Sequence, residues 1–258
     1  MSGPLLEVRD VRKQFGGVVA VAGVSFQVFP GEIRAIIGPN GAGKTTLFNL
    51  VSGLLPLDGG NVRFRGRFLN GLPPPDRAAL GIGRTFQNLQ IFANMTVLEN
   101  VMVGRHLKAR SGFLGAALRT PRARREEREI VDAGCAALAF VGLEGRRDDP
   151  ASSLPFGQQR LLELARAVSM EPALLLLDEP AAGLNPTEVG RLSELIYAIR
   201  ARGVTVLLVE HHMDLVMGVS EEILVLNYGE VLAQGPPEAV QNDPAVIDAY
   251  LGVGDADA

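Results

Sequence analysis

The chain lacks a surplus of basic charge, carries almost no cysteine, and contains no apolar run long enough to cross a bilayer. Lys and Arg number 25 against 29 Asp and Glu, leaving a formal charge of -4. A bulk nucleic-acid binder needs the opposite balance, although a local basic patch is not excluded. The single cysteine, Cys135, cannot close an internal disulfide, which fits a reducing compartment. It lies in the apolar stretch 130–141 with no histidine beside it, and reads as a small buried helix residue, not a reactive thiol. The apolar runs 173–177 and 204–209 are far too short for a membrane span and read as buried strands of a parallel sheet. Any membrane role must then come from docking to another chain. The opening MSGPLLEVRD lacks both a basic start and a long apolar core, so no signal peptide is expected. No internal repeat is present.

What is there suits one large core, or one core with a smaller lobe: 258 residues, 47% hydrophobic and 21% charged. Short β-branched segments at 5–8, 18–21 and 24–28, punctuated by Gly16-Gly17 and Pro30-Gly31, predict a strand-rich beginning. Residues 33–37 form a continuous apolar strand running into a glycine-rich turn, and 44–51 have helical spacing. Residues 61–69 read as a strand, followed by a break at Pro73-Pro74-Pro75. Thr96 and Glu99 have capping-box spacing. Helical, charge-rich segments continue to about 169, giving an inserted helical lobe over roughly 88–169. Alternation then returns: strand 174–177, helix 187–202, strand 204–209, helix 214–219, and a terminal hairpin from 223–226 and 231–233. Residues 1–252 are expected to form one domain, with 253–258 as a mobile tail.

Gly38, Pro39, Asn40, Gly41, Ala42, Gly43, Lys44 and Thr45 match G-x-x-x-x-G-K-[ST] without exception, with Thr46 following. Glycines let the backbone wrap phosphates with its N–H groups turned inward, and the helix from Lys44 adds its positive end. Lys44 is expected on the β- and γ-phosphates and Thr45 on Mg²⁺. A chance glycine turn is the bland alternative; the strand before and helix after weigh against it. The loop alone does not separate a kinase from an ATPase or GTPase. Leu174-Leu175-Leu176-Leu177-Asp178-Glu179 describes a buried strand ending in two carboxylates. Beside such a loop, Asp178 is expected to support the metal and Glu179 to orient and polarise attacking water. A nucleotide kinase has no need of the second carboxylate, so the pair favours hydrolysis over a solvated acidic turn.

Three further pieces complete a pattern. They are Gln87 in Thr85-Phe86-Gln87-Asn88, the run Leu154, Pro155, Phe156, Gly157, Gln158, Gln159 and Arg160 before a helix, and His211 after strand 204–209 and Glu210. With the loop and the Asp-Glu pair, they resemble the nucleotide-binding domain of ATP-binding cassette proteins, in that family's order and over nearly the whole chain. The resemblance implies an α/β P-loop fold with an N-terminal antiparallel β subdomain and an inserted helical subdomain. It implies that Gln87 touches Mg²⁺ and water and links the site to a membrane partner, and that His211 contacts the γ-phosphate. Leu154, Pro155, Phe156, Gly157 and Gln158 would close over ATP held by a second subunit, residues 181–185 would line the dimer interface, and Phe15 would stack on adenine. A helix beginning near Gly157 offers free N–H groups to a phosphate.

Two positions depart from the family's common spelling. Pro155 and Phe156 stand where Ser and Gly are usual, so one phosphate donor is missing, and Asn185 replaces an Asp. Both changes would weaken one composite site. The same spelling, with Val209-Glu210-His211, Met213, the segment 105–128 and the ending Ala249-Tyr250-Leu251-Gly252, resembles one branch: ATPases of branched-chain amino-acid uptake and their amide or urea relatives. That implies a partner ATPase subunit in a heterodimer (or a homodimer in isolation), two permeases, an external binding protein, no nucleic acid, and a place on the cytoplasmic face of the inner membrane. Non-transport cassette proteins and P-loop kinases are the rival classes.

Several residues keep two readings. Phe15 suits either core or adenine. His212 stands beside the switch position, and His106 lies in a basic stretch as a solvated side chain. Arg119, Arg122, Arg124, Arg125 and Arg128, interleaved with Glu126, Glu127 and Glu129, suit a charged helix face or a contact with lipid headgroups or a permease. Phe86, Leu89, Ile91 and Phe92 suit core or a groove for a permease helix.

Overall fold

The computed structural model describes residues 3–85, 90–105 and 121–251. Two sheets carry the fold. The first is antiparallel, ordered β2-β1-β4-β5, with β1 Leu6–Phe15, β2 Val18–Val28, β4 Gly59–Phe64 and β5 Arg67–Phe68. The second is ordered β10-β9-β3-β8-β7-β6, with β3 Ile33–Ile37, β6 Ile82–Arg84, β7 Leu174–Asp178, β8 Thr205–Val209, β9 Glu222–Asn227 and β10 Glu230–Gly235. All its pairings are parallel except the β9–β10 hairpin. β3, β7 and β8 are buried along their whole length, as parallel strands covered on both faces must be.

Helix α1, Lys44–Ser52, buries Leu47, Phe48, Leu50 and Val51 in a core shared with Val8, Val62 and Phe64 of the antiparallel sheet and Ile36, Leu176 and Leu207 of the other. The opposite faces of β7 and β8 pack through Leu175, Leu177, Val206 and Leu208 onto helical residues. α2 is Pro74–Ala79, α3 Val97–Arg105, α4 Pro121–Val141, α5 Phe156–Ser169 and α6 Pro186–Ala201. α3, α4 and α5 fall within the span read as a helical lobe. α7 Met213–Val219, α8 Pro237–Gln241 and α9 Pro244–Leu251 complete the chain. Thr96 and Glu99 form the expected reciprocal cap, Thr96 N–H to Glu99 Oε2 at 2.8 Å and Glu99 N–H to Thr96 Oγ1 at 3.2 Å.

Several local readings change. Segments 18–21 and 24–28 are one strand, kept whole by register shifts in its pairing with β1. Residues 61–69 fold back as β4 and β5, because Arg65 (φ 49°) and Gly66 (φ 76°) turn the chain. The triple proline starts a helix: Pro74 occupies its first turn, where no N–H is needed. α8 and α9 were not read from the sequence. Cys135 is half-buried, not buried. The expectation for residues 253–258 lies outside the described residues.

α2 serves α1 through Arg77. Its buried guanidinium donates to Leu50 O (2.8 Å) and Val51 O (2.7 Å) at the end of α1, and to Leu69 O and Leu72 O (both 2.9 Å). A cation there also suits the negative end of the helix. Arg77→Met should strand these carbonyls and cost about 2–4 kcal/mol. Urea unfolding should show a lower midpoint with an unchanged m-value.

Candidate nucleotide site

The C-terminal ends of the parallel strands share one edge of the sheet. β3 pairs with β8 up to Ile36 and Val209, and β8 pairs with β7 at Val209 and Asp178. The loops after β3, β7 and β8 therefore emerge together, where open α/β sheets place ligands.

Residues 38–43 make the first loop. Gly38 (φ 151°) and Gly43 (φ 97°) need glycine twice over, for backbone conformation and for space. A Cβ on Gly38 would collide with the carbonyl oxygen of Leu226, and one on Gly43 with that of Ala20. The β9–β10 turn braces the loop further, Gly229 N–H donating to Ala42 O at 3.1 Å. Lys44 is buried; its Nζ donates to Gly38 O (2.7 Å) and Pro39 O (2.9 Å). Burial pushes the Lys44 ammonium pKa down, against the opposing charge of Glu179. Gly43 is the N-cap of α1 and no side chain caps the helix. Its first-turn N–H groups thus face the loop, a setting suited to an anion. Thr45 is exposed and Thr46 half-buried. Tyr250 of α9 comes up to Gly38, and its hydroxyl pKa is pushed up by burial.

Asp178 closes β7 and is buried. Arg84, at the end of β6, donates to Asp178 Oδ2 at 2.8 Å, to Asn49 Oδ1 at 2.8 Å and to Ser52 Oγ. Burial pushes the Asp178 carboxyl pKa up and Arg84 pulls it back. Asp178 Oδ1 is buried and has no hydrogen-bond partner among the described residues. Glu179 adopts φ 46°, a left-handed conformation costing a non-glycine residue about 1–2 kcal/mol. Its N–H still bonds Val209 O at 2.8 Å, so the strained turn is held by the neighbouring strand. His211 Nδ1 stands 3.9 Å from Glu179 Oε2 and 3.9 Å from Glu210 Oε2.

Phe15 is 47% exposed beside exposed Val18 and Val19, with Lys13 Nζ 5.5 Å from its ring centre. It is an open apolar lip, not core. Leu154 is buried, Pro155 is the N-cap of α5, Phe156 is 46% exposed, Gly157 is buried and Gln158 half-buried. A Cβ on Gly157 would strike the Glu188 carboxylate, and one on Gly183 the Phe156 ring. Asn185 caps α6, its side chain accepting from Glu188 N–H at 3.0 Å while Glu188 Oε2 accepts from Asn185 N–H at 2.9 Å. Gln87, Phe86, Leu89, His106 and Arg119 lie outside the described residues. Ile91 packs on the core, whereas Phe92 is exposed with Arg166 over its ring. Arg125 pairs with Glu129 at 3.1 Å along α4, both exposed.

Among the described residues no three of His, Cys, Asp and Glu cluster as a self-sufficient metal site. A carboxylate oxygen without a partner and a threonine hydroxyl instead match Mg²⁺, which takes few protein oxygens and completes its shell with phosphate and water. No described helix is long and apolar enough to cross a membrane.

Residues 21–182 match the family model for the ABC transporter, and residues 230–256 match that for the branched-chain amino acid ATP-binding cassette transporter. The chain is 46% identical over 253 residues to the high-affinity branched-chain amino acid transport ATP-binding protein LivG of Escherichia coli K12, covering 98% of this chain and 99% of that one. Identity and coverage are the same for BraF of Pseudomonas aeruginosa, which bears the same description. The ADP conformation of an ATP-binding cassette of an ABC transporter superposes with a TM-score of 0.85, at 32% identity, over 97% of this chain and 100% of that one.

The chain belongs to the ABC transporter family.

As an ABC transporter ATPase it binds ATP, and the expected α/β fold with an antiparallel β subdomain is the one observed. Sequence reasoning overlooked Arg84, Glu210 as anything more than a marker for His211, and Tyr250 beyond its place in a family spelling. Arg84 and Glu210 had a signal: each is a charge at the end of an otherwise apolar strand. Tyr250 had none, since α9 reaches the loop only through tertiary packing. Gly43→Ala should lower ATP affinity at least about tenfold, because a left-handed backbone and a blocked Cβ must both be relieved. Equilibrium titration with a fluorescent ATP analogue measures it.

Proposed function

We propose that this ABC ATPase powers import of branched-chain amino acids, with Glu179 activating the attacking water and Lys44 gripping the phosphates. The match of residues 230–256 to the branched-chain model carries the solute class. Lys44 spends two of its three donors on Gly38 O and Pro39 O, which leaves one for a β- or γ-phosphate oxygen. The loop amides of residues 38–46 and the open end of α1 hold the remaining charge. Thr45 and Asp178, with Gln87, would hold Mg²⁺, which supplies charge neutralisation between the phosphates. Glu179 takes up the proton of the water or orients it, and His211 contacts the γ-phosphate at the same edge. Phe15 stacks on adenine from its exposed position.

The uncapped α5 N-terminus at Leu154, Pro155, Phe156, Gly157 and Gln158 is offered to ATP held by a second ATPase subunit. Closure of the pair then depends on ATP and opening on hydrolysis. Two permeases and an external binding protein complete the complex, with this chain on the cytoplasmic face of the inner membrane. Residues 1–252 act as one domain, α3 to α5 forming its helical subdomain.

Glu179→Gln should retain ATP affinity while kcat falls at least about a hundredfold, with an ATP-trapped dimer seen by size-exclusion chromatography. Turnover at the wild-type rate would remove Glu179 from this role. In vesicles carrying the cognate permeases and binding protein, ATP should drive uptake of labelled leucine. Uptake of urea or short amides without leucine would move the chain to the neighbouring branch.

A further inference from the structure

Glu210 follows the last residue of β8 and is 1% exposed, yet its carboxylate meets no lysine or arginine in its hydrogen bonds among the described residues. Backbone N–H groups hold it instead, from two separate loops. Oε1 accepts from Ala181 N–H at 2.8 Å. Oε2 accepts from His211 N–H at 2.8 Å and His212 N–H at 3.0 Å. Ala181 lies two residues beyond Glu179, and His211 Nδ1 lies 3.9 Å from both carboxylates. The loop that starts at Glu179 continues to Gly183, under the Phe156 ring, and leads into α6, whose Glu188 lies against Gly157.

We propose that Glu210 is a positioning residue for hydrolysis: one buried carboxylate clamps the loop after Glu179 to the loop carrying His211, so that water activation and γ-phosphate contact keep a fixed relation. The proposal rests on the roles given above to Glu179 and His211. A carboxylate suits the task because both of its oxygens only accept, and all three partners only donate. A neutral amide cannot replace it. The amide nitrogen of a glutamine would present N–H to N–H at Ala181 or at residues 211 and 212, so one half of the clamp opens whichever way the amide is turned. An aspartate keeps both acceptors but is one methylene short of spanning them. Because the same loop packs at Gly183 against Phe156 at the start of α5, the clamp also links the γ-phosphate contact to the surface offered to a second subunit.

The test measures steady-state MgATP hydrolysis, equilibrium binding of a fluorescent ATP analogue, and thermal midpoint for wild type, Glu210→Gln and Glu210→Asp. The expected result is a kcat lowered about tenfold in Glu210→Gln and by less in Glu210→Asp, with KM and analogue affinity within about twofold of wild type. A merely structural role would lower the thermal midpoint without separating kcat from KM. Wild-type kcat in folded Glu210→Gln, or a rise in KM matching the fall in kcat, would overturn the clamp. If Glu210→Gln does not fold, Glu210→Asp is judged by the same split. Failure of the underlying roles would look different: Glu179→Gln or His211→Ala would then turn over like wild type, whatever Glu210 does.

Discussion

The parallel pairing of β3, β8 and β7 is the constraint on which the site depends. Three strands buried on both faces cannot shift register without moving apolar side chains out of two cores at once. Their ends are therefore fixed together, and so are the loops that leave them. The glycine-rich loop leaves β3, Asp178 ends β7 with Glu179 directly after it, and Glu210 and His211 follow β8. The antiparallel sheet and the β9–β10 hairpin then brace the first loop from behind, through Ala20, Leu226 and Gly229.

Gathering charges at one buried edge raises an electrostatic problem that the fold answers three ways. Lys44 is drawn onto carbonyl oxygens of its own loop and stays near Glu179. Asp178 gains Arg84, which satisfies one oxygen, while the other has no hydrogen-bond partner among the described residues. The hydrogen bonds to the Glu210 carboxylate come from peptide N–H groups among the described residues, with His211 Nδ1 3.9 Å away. Dipoles that are already part of the chain cost no counter-charge, and they fix direction as well as energy. The left-handed turn at Glu179 belongs to the same economy of position, its strain held by a hydrogen bond to the neighbouring strand.

The departures at Pro155, Phe156 and Asn185 gain a physical reading from packing. Phe156 lays its ring on Gly183, with Arg160 over the ring, so a bulky residue joins the start of α5 to the loop ahead of α6. Pro155 stands at the N-cap, where a missing N–H costs no helical hydrogen bond. Asn185 is engaged in a capping box, work that an aspartate would do equally well. The charged stretch of α4 supplies at least one exposed (i, i+4) pair, Arg125 with Glu129, as a solvated helix face does.

Local chemistry made much of this molecule readable from its residues. An apolar run, a glycine loop, a lysine and a threonine in that order describe a phosphate grip, because each requirement is met by neighbours in the chain. The same holds for the strand ending in Asp178 and Glu179, and for the reciprocal cap of Thr96 and Glu99. What the order of residues could not convey are relations between distant segments. Arg84 reaches Asp178 across 94 positions, Glu210 reaches Ala181 across 29, and Tyr250 meets Gly38 from the far end of the chain. The turn at Arg65 and Gly66, and the helices α8 and α9, escaped because their signals were weak or proline-masked. The sequence by itself therefore determined the family and the candidate groups for a nucleotide site. Only the tertiary structure decided how they are held, because that depends on which strands lie side by side and which buried polar atoms then find partners.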